Sequence, residues 1–249
     1  MSLPDRRSDA TTAMAPSDWS IERATQYYNV SGWGAGYFSV NEKGHVIVHP
    51  MGQPGPAIDL MDVVEDIRER KIGFPCVVRF QDVLRARVKQ INEAFGKAVA
   101  EMGYGARYFG VYPIKVNQMR EVVEEILDAG APYHYGLEAG SKGELLVVLG
   151  MNTDPEALTI CNGYKDEEFM RLALMGQKLG HTVMIVLEQL NELEVLLKVA
   201  DEMGIQPTAG VRVKLATEGS GRWAKSGGER SKFGLGAVEL MRLLDELDR

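Results

Sequence analysis

Cysteine is scarce in this 249-residue chain. The two present, Cys76 and Cys161, lie far apart and outside any C-x-x-C pair. That excludes a disulfide framework and the usual thiolate metal sites. Both sit in apolar stretches, PCVV and LTICNG, and read as reduced core thiols. No apolar run approaches the roughly 18 residues of a membrane span. The opening MSLPDRRSDATTAMAPSD has no apolar block of the kind a secretion signal needs, so residues 1–16 read as a disordered tail and the setting as reducing and cytoplasmic. Positive charge is in deficit: the net charge is -7, which gives no electrostatic reason to expect nucleic acid or an anionic membrane as partner. Phosphate loops are missing as well. Gly32, Gly34 and Gly36 alternate rather than forming G-x-G-x-x-G, and there is no G-x-x-x-x-G-K-[ST]. The four histidines, His45, His49, His134 and His181, form no ligand cluster at usable spacing.

What is present is the alternation of a globular chain. SDWSIERATQYYNV carries capping residues and then Ile21, Ala24 and Tyr28 at helical spacing. GWGAGYFSVNEKGHVIVHP reads as two short strands around a turn at Asn41–Gly44, and PMGQPGP as a loop. DLMDVVEDIRERK predicts a helix with Leu60, Val63, Val64 and Ile67 on one face. FPCVVRF follows as a strand, and QDVLRARVKQINEAFGKAVAEMG as a long helix striped by Val83, Val88, Ile91, Phe95, Val99 and Met102. This divides the chain into a helix and hairpin region over 17–75 and an α/β region over 76–249.

Beyond Gly105 a rhythm of about 25 residues sets in. Apolar strand candidates begin near Tyr108, Tyr133, Leu158, Thr182 and Thr208, and each leads into an amphipathic helix. Such spacing predicts parallel βαβ units, with YFGVYPI and TVMIVLE apolar on both faces, as a covered sheet requires. A closed (β/α)8 barrel and an open doubly wound sheet both remain. The constant period and the lack of a glycine-rich phosphate turn favour the barrel. Only five βα units precede Arg249, where a barrel needs eight, so the chain reads as cut short.

One residue breaks the apolar pattern. In YFGVYPIKVNQ, Lys115 stands between Ile114 and Val116 at the C-terminal end of the first strand of the series, where barrels keep their reactive groups. The plain reading is a lysine that snorkels past the strand end. The functional one is an amine held in a dry site, where desolvation favours the neutral form able to condense with a carbonyl. Asn117 reads as a cap for the next helix or a support for the strand end. The loop TEGSGRWAKSGGERSKFG, with Arg222, Lys225, Arg230 and Lys232, reads as a solvated loop or as an active-site lid.

YPIKVN resembles the Tyr-Ala-x-Lys-x-Asn segment of the fold-type III pyridoxal-phosphate enzymes, the alanine racemase and basic amino-acid decarboxylase superfamily. YGLEAGSKGEL resembles that family's acidic-x-x-Ser-Lys-x-Glu segment. ICNGYKDEEFMRLALMGQKLGH, VRVKLATEGSGRW and SGGERSKFGL are similar to its biosynthetic arginine decarboxylase branch, as is YNVSGWGAGYFSVNEKGHVIVHP. The resemblance covers nearly the whole chain from about Trp19. It implies a TIM-type barrel that holds pyridoxal 5'-phosphate, with FPCVVRF as a lead-in strand from a second, β-rich domain whose bulk is absent here. Lys115 would carry the cofactor. Arg212 would lie beneath its ring and Glu138 would pair with that arginine.

The resemblance also implies decarboxylation of L-arginine to agmatine and CO2 on the way to putrescine and spermidine, an association with Mg2+, and a dimer-based homo-oligomer, with tetramers built from dimers. Groups for the phosphate and the pyridine nitrogen would come from sequence beyond Arg249, so this chain alone is expected to be inactive and to expose an edge where further strands belong. A decarboxylase or racemase of another amino acid, or a non-catalytic regulatory homologue on the same scaffold, remains open.

Overall fold

The computed structural model describes residues 19–215 and 233–247. The chain forms two compact units that divide between Ala86 and Arg87, inside a helix.

The first unit starts with α1 (Ile21–Tyr27), where Ser20 Oγ accepts a hydrogen bond from the Arg23 backbone N–H. After it comes α2 (Val30–Gly34), so Trp33 and Gly34 are helical rather than the strand expected. The expected hairpin is present as β1 (Phe38–Val40) and β2 (Val46–Val48), paired antiparallel. Asn41 shapes its turn, its Oδ1 accepting from the N–H groups of Lys43 and His45. A strand absent from the sequence reading, β3 (Ile58–Asp59), adds to β2 with Val48 opposite Ile58. Asp59 then caps α3 (Leu60–Glu69) by accepting from Met61 N–H, and its other oxygen receives Asn41 Nδ2 and pairs with His45 Nδ1 at 2.9 Å. One carboxylate thus fixes both a helix start and a hairpin turn.

FPCVVRF is not a strand. Residues 76–80 belong to no strand or helix, and Val77 is 75% exposed. A strand needs a partner ladder, and the backbone of this segment has none to join. Cys76 is exposed, contrary to the expectation of a core thiol. It lines an apolar groove of about 660 Å3 with Phe38, Leu60, Val63 and Phe80.

The long α4 (Gln81–Glu101) crosses the division between the units. The second unit is a five-stranded parallel sheet: β4 (Val111–Pro113), β5 (Gly136–Ala139), β6 (Leu158–Cys161), β7 (Thr182–Leu187) and β8 (Ala209–Val211). Neighbours follow chain order without reversal. A doubly wound sheet reverses at a switch point, whereas a barrel adds strands in sequence. The intervening helices are α5 (Arg120–Gly130), α6 (Lys142–Met151), α7 (Glu167–Lys178) and α8 (Asn191–Met203), and α9 (Ala237–Leu247) follows β8.

Side chains alternate along β7: Val183, Ile185 and Leu187 are buried, while Met184 and Val186 are half-buried. The buried set joins Leu137, Ala139, Leu145, Phe169, Met170, Leu174, Leu193 and Leu196 in one core between sheet and helices. The strand is apolar on both faces as expected, with one face fully buried and the other half-buried. Ser141 and Asp166 start α6 and α7 by accepting from Glu144 N–H and Phe169 N–H.

Candidate active site

Pro113 ends β4 with no N–H to continue the ladder, and the chain turns at once into a single 3-10 turn, Ile114–Val116. The turn drives Ile114 into the core, fully buried, and swings its neighbours outward. Lys115 is 65% exposed on its side chain, so the dry site anticipated for it is not formed by the described residues. Its Nζ stands 3.8 Å from Glu138 Oε1, at the corresponding end of β5. Tyr112 OH donates to Asn117 O at 3.2 Å, and Asn117 Oδ1 accepts from Met119 N–H at 3.0 Å. Asn117 therefore sets the turn ahead of α5, whose cap position is Met119 and lacks a side-chain bond.

Arg212 lies just beyond β8. Its backbone N–H donates to Leu187 O at 2.9 Å, and Leu235 N–H returns to its carbonyl at 2.8 Å. The guanidinium does not pair with Glu138, which instead faces Lys115. Nη1 donates to Glu188 Oε1 at 3.1 Å, and the group sits over the Phe233 ring at 5.2 Å. Expected and observed pairings differ because strand order decides them: Glu138 lies in β5, three strands from β8, while Glu188 directly follows the neighbouring β7.

Behind this rim lies a charge network that sequence reasoning missed. Glu188 is buried to 0% side-chain exposure, and its Oε1 also accepts from Gly163 N–H at 3.0 Å. The backbone N–H of Glu188 donates to Glu192 Oε2 at 2.8 Å. Glu192 Oε1 accepts from the Lys165 N–H, and Lys165 Nζ sits 3.2 Å from Glu192 Oε2 with both side chains buried. Lys165 Nζ also donates to Gly163 O. A buried pair of this kind depends on further hydrogen bonds, which here come from the Gly163 carbonyl and the backbone N–H groups of Lys165 and Glu188. Nearby, burial pushes the Cys161 thiol up to about 12, with the Lys165 charge pulling weakly the other way. The signal that exposes Lys115 in the sequence, a charged residue closing an apolar run, exists for Glu188 in TVMIVLE but was read there as strand patterning.

The loop with Arg222, Lys225, Arg230 and Lys232 lies outside the described residues. Among the described residues no group of three His, Cys, Asp or Glu could hold a metal ion, and no helix is long and apolar enough to cross a membrane.

An amine and a carboxylate thus meet at the C-terminal rim of a parallel βα sheet, with a guanidinium on the same rim beyond β8, the edge where barrels do their chemistry. Residues 87–249 match the family described as pyridoxal-dependent decarboxylase, pyridoxal binding domain, and the chain belongs to it. Over 230 residues, 92% of this chain, it is 48% identical to a biosynthetic arginine decarboxylase of Gloeobacter violaceus. A protein of that name from Phocaeicola vulgatus is 48% identical over 231 residues. Each match spans only 36% of the relative's length. Among solved structures, the biosynthetic arginine decarboxylase of Campylobacter jejuni superposes with TM-score 0.74 at 33% identity, over 89% of this chain and 34% of its own. Diaminopimelate decarboxylase from M. jannaschi, at TM-score 0.62 and 20% identity, shares the fold.

Proposed function

We propose that a complete polypeptide carrying this segment decarboxylates L-arginine to agmatine and CO2, a step toward polyamines, with Lys115 as the residue that holds pyridoxal phosphate. The observation that carries the chemistry is the position of Lys115: a primary amine free of the strand ladder, beside Glu138, at the C-terminal rim. Arginine as substrate draws on the names of the relatives. A cytoplasmic setting and a dimer-based assembly belong to the same proposal.

The donors present suit an aromatic aldehyde phosphate. Lys115 offers a primary amine with open space around it, and a half-exposed guanidinium stands at the far side of the rim. When bound, pyridoxal phosphate supplies an electron sink for the pair left on Cα as CO2 departs. Lys115 fixes the aldehyde end. Glu138 holds the Lys115 side chain toward β5 and offers a carboxylate through which its amine exchanges a proton. Arg212 presents the guanidinium donors that Glu188 does not occupy, in a fixed direction. Water exclusion and the groups for the phosphate and the pyridine nitrogen are left to the remainder of the polypeptide.

The test is chemical. Borohydride reduction of the complete polypeptide with pyridoxal phosphate, followed by digestion, is expected to leave a pyridoxyl group on Lys115, and none in Lys115→Ala. Assays against arginine, ornithine, lysine and diaminopimelate should give turnover with arginine. Turnover with one of the others instead would overturn the substrate while keeping the cofactor site, and absence of the adduct would overturn both.

A further inference from the structure

Arg212 bears a long side chain on the open rim, 48% exposed, yet its guanidinium is bound to a carboxylate that has no freedom to move. Glu188 has 0% side-chain exposure, its Oε1 holds the Gly163 N–H as well as Arg212 Nη1, and its own N–H is taken by Glu192 Oε2. Glu192 is locked in turn by the Lys165 N–H and ammonium. The ends of β6 and β7 and the first turn of α8 are thereby tied together, and Arg212 is the charged residue of the set that reaches solvent, whereas Glu188, Glu192 and Lys165 are buried. Gly234 clears space for it: at φ +90 it has no side chain, and a Cβ there would stand 3.1 Å from Arg212 Cγ.

The structure assigns Glu188 as the positioning residue that fixes the Arg212 guanidinium toward the cofactor; the assignment rests on the cofactor site proposed above. Stability alone does not account for the arrangement. A pair with one half-exposed partner contributes little, and burying a carboxylate costs more than burying an apolar side chain of similar size. Among the described residues Glu188 Oε2 is buried with no hydrogen-bond partner, which weakens a purely stabilising role. A fixed carboxylate that shares one oxygen between a backbone N–H and a guanidinium does something an apolar residue cannot. It selects one orientation of a flexible side chain before any ligand arrives, which removes an ordering cost from binding.

The experiment is a double-mutant cycle in the complete polypeptide, read as the dissociation constant of pyridoxal phosphate by absorbance titration, with melting temperature as control. Glu188→Gln and Arg212→Ala are each expected to weaken cofactor binding about tenfold, and the double variant no further than either alone, because both remove one interaction. Glu188→Asp, which keeps the charge but withdraws it by one methylene, serves if the glutamine variant fails to fold. Its expected loss is likewise absent once Arg212 is gone. Losses that multiply to about a hundredfold would overturn the assignment, as would wild-type affinity in Glu188→Gln or a fall in melting temperature alone. A wild-type protein with no reducible adduct at Lys115 would bring down the cofactor site and this assignment with it, and that failure is visible before any Glu188 variant is made.

Discussion

Lys115 contributes little to holding this fold. Its ammonium is two-thirds exposed and 3.8 Å from its carboxylate, so solvent screens the pair. Lys115→Ala should therefore change the urea stability of this chain by less than about 0.5 kcal/mol, the range of ordinary surface substitutions, although the same change removes the group on which the proposed chemistry depends. The two thiols should separate cleanly. Cys76 is exposed, whereas Cys161 is buried with its thiol pushed up to about 12, so a thiol reagent at neutral pH should modify one cysteine in the native chain and the second only after denaturant is added. At the opposite end of the sheet, Asp154 pairs with His134 at 2.8 Å. Burial pushes its pKa up, but the Glu156 N–H and His134 outweigh that, and the net direction is below the ordinary 3.8. A depressed folded value contributes stability above 3.8 that is lost as pH falls through the folded value. Asp154→Asn should accordingly flatten the dependence of urea stability on pH below about 4. At this scale the sequence exposes an anomaly but not its environment. Lys115 stands out because it closes an apolar run, yet its exposure depends on which strands flank it. PCVV looks like core until its neighbours prove to leave the thiol open.

Among the elements, the close approach of strands governs where glycine is required. A Cβ on Gly136 would meet the Leu158 carbonyl oxygen at 2.1 Å, and one on Gly163 would meet Gly140 O at 2.6 Å with φ already +78. Both contacts are to backbone, so neither can be relieved by a side chain turning away. Gly136→Ala should lower the melting temperature by several degrees, consistent with a loss of roughly 1–3 kcal/mol for overpacking, and Gly163→Ala should in addition displace the Glu188 carboxylate that its N–H holds. Phe169→Ala, which empties a fully packed position between sheet and helices, should cost about 3–5 kcal/mol in urea unfolding. The five βα units are legible in the sequence because each repeats the same pairing of an apolar run and a 3.6-residue stripe. What escapes are elements whose identity comes from a partner. β3 is two residues long and exists because β2 offers it a ladder. FPCVVRF has the composition of a strand and no ladder among the described residues. α2 carries two glycines in five residues and has no helical signal of its own.

For the molecule as a whole, the five-stranded sheet leaves β4 and β8 each with a single named strand beside it. Val213, Leu215, Val238, Met241 and Leu247 are all more than 40% exposed along the β8 and α9 side. Open ladders next to apolar side chains are templates for self-association, which a net charge of -7 opposes only weakly at physiological salt. Light scattering by this chain should therefore rise with protein concentration and with salt, and a lysine in place of Leu215 should reduce it. The purified 249-residue chain is also expected to release no agmatine from arginine, and sustained release would show that the segment needs nothing more. Sequential neighbours have one further effect. From β5 onward each strand docks beside the one synthesised immediately before it, so its first mate is already in place when it leaves the ribosome. The growing margin moves steadily forward with translation, while the outer edge of β4 stays as it was when the first pair formed.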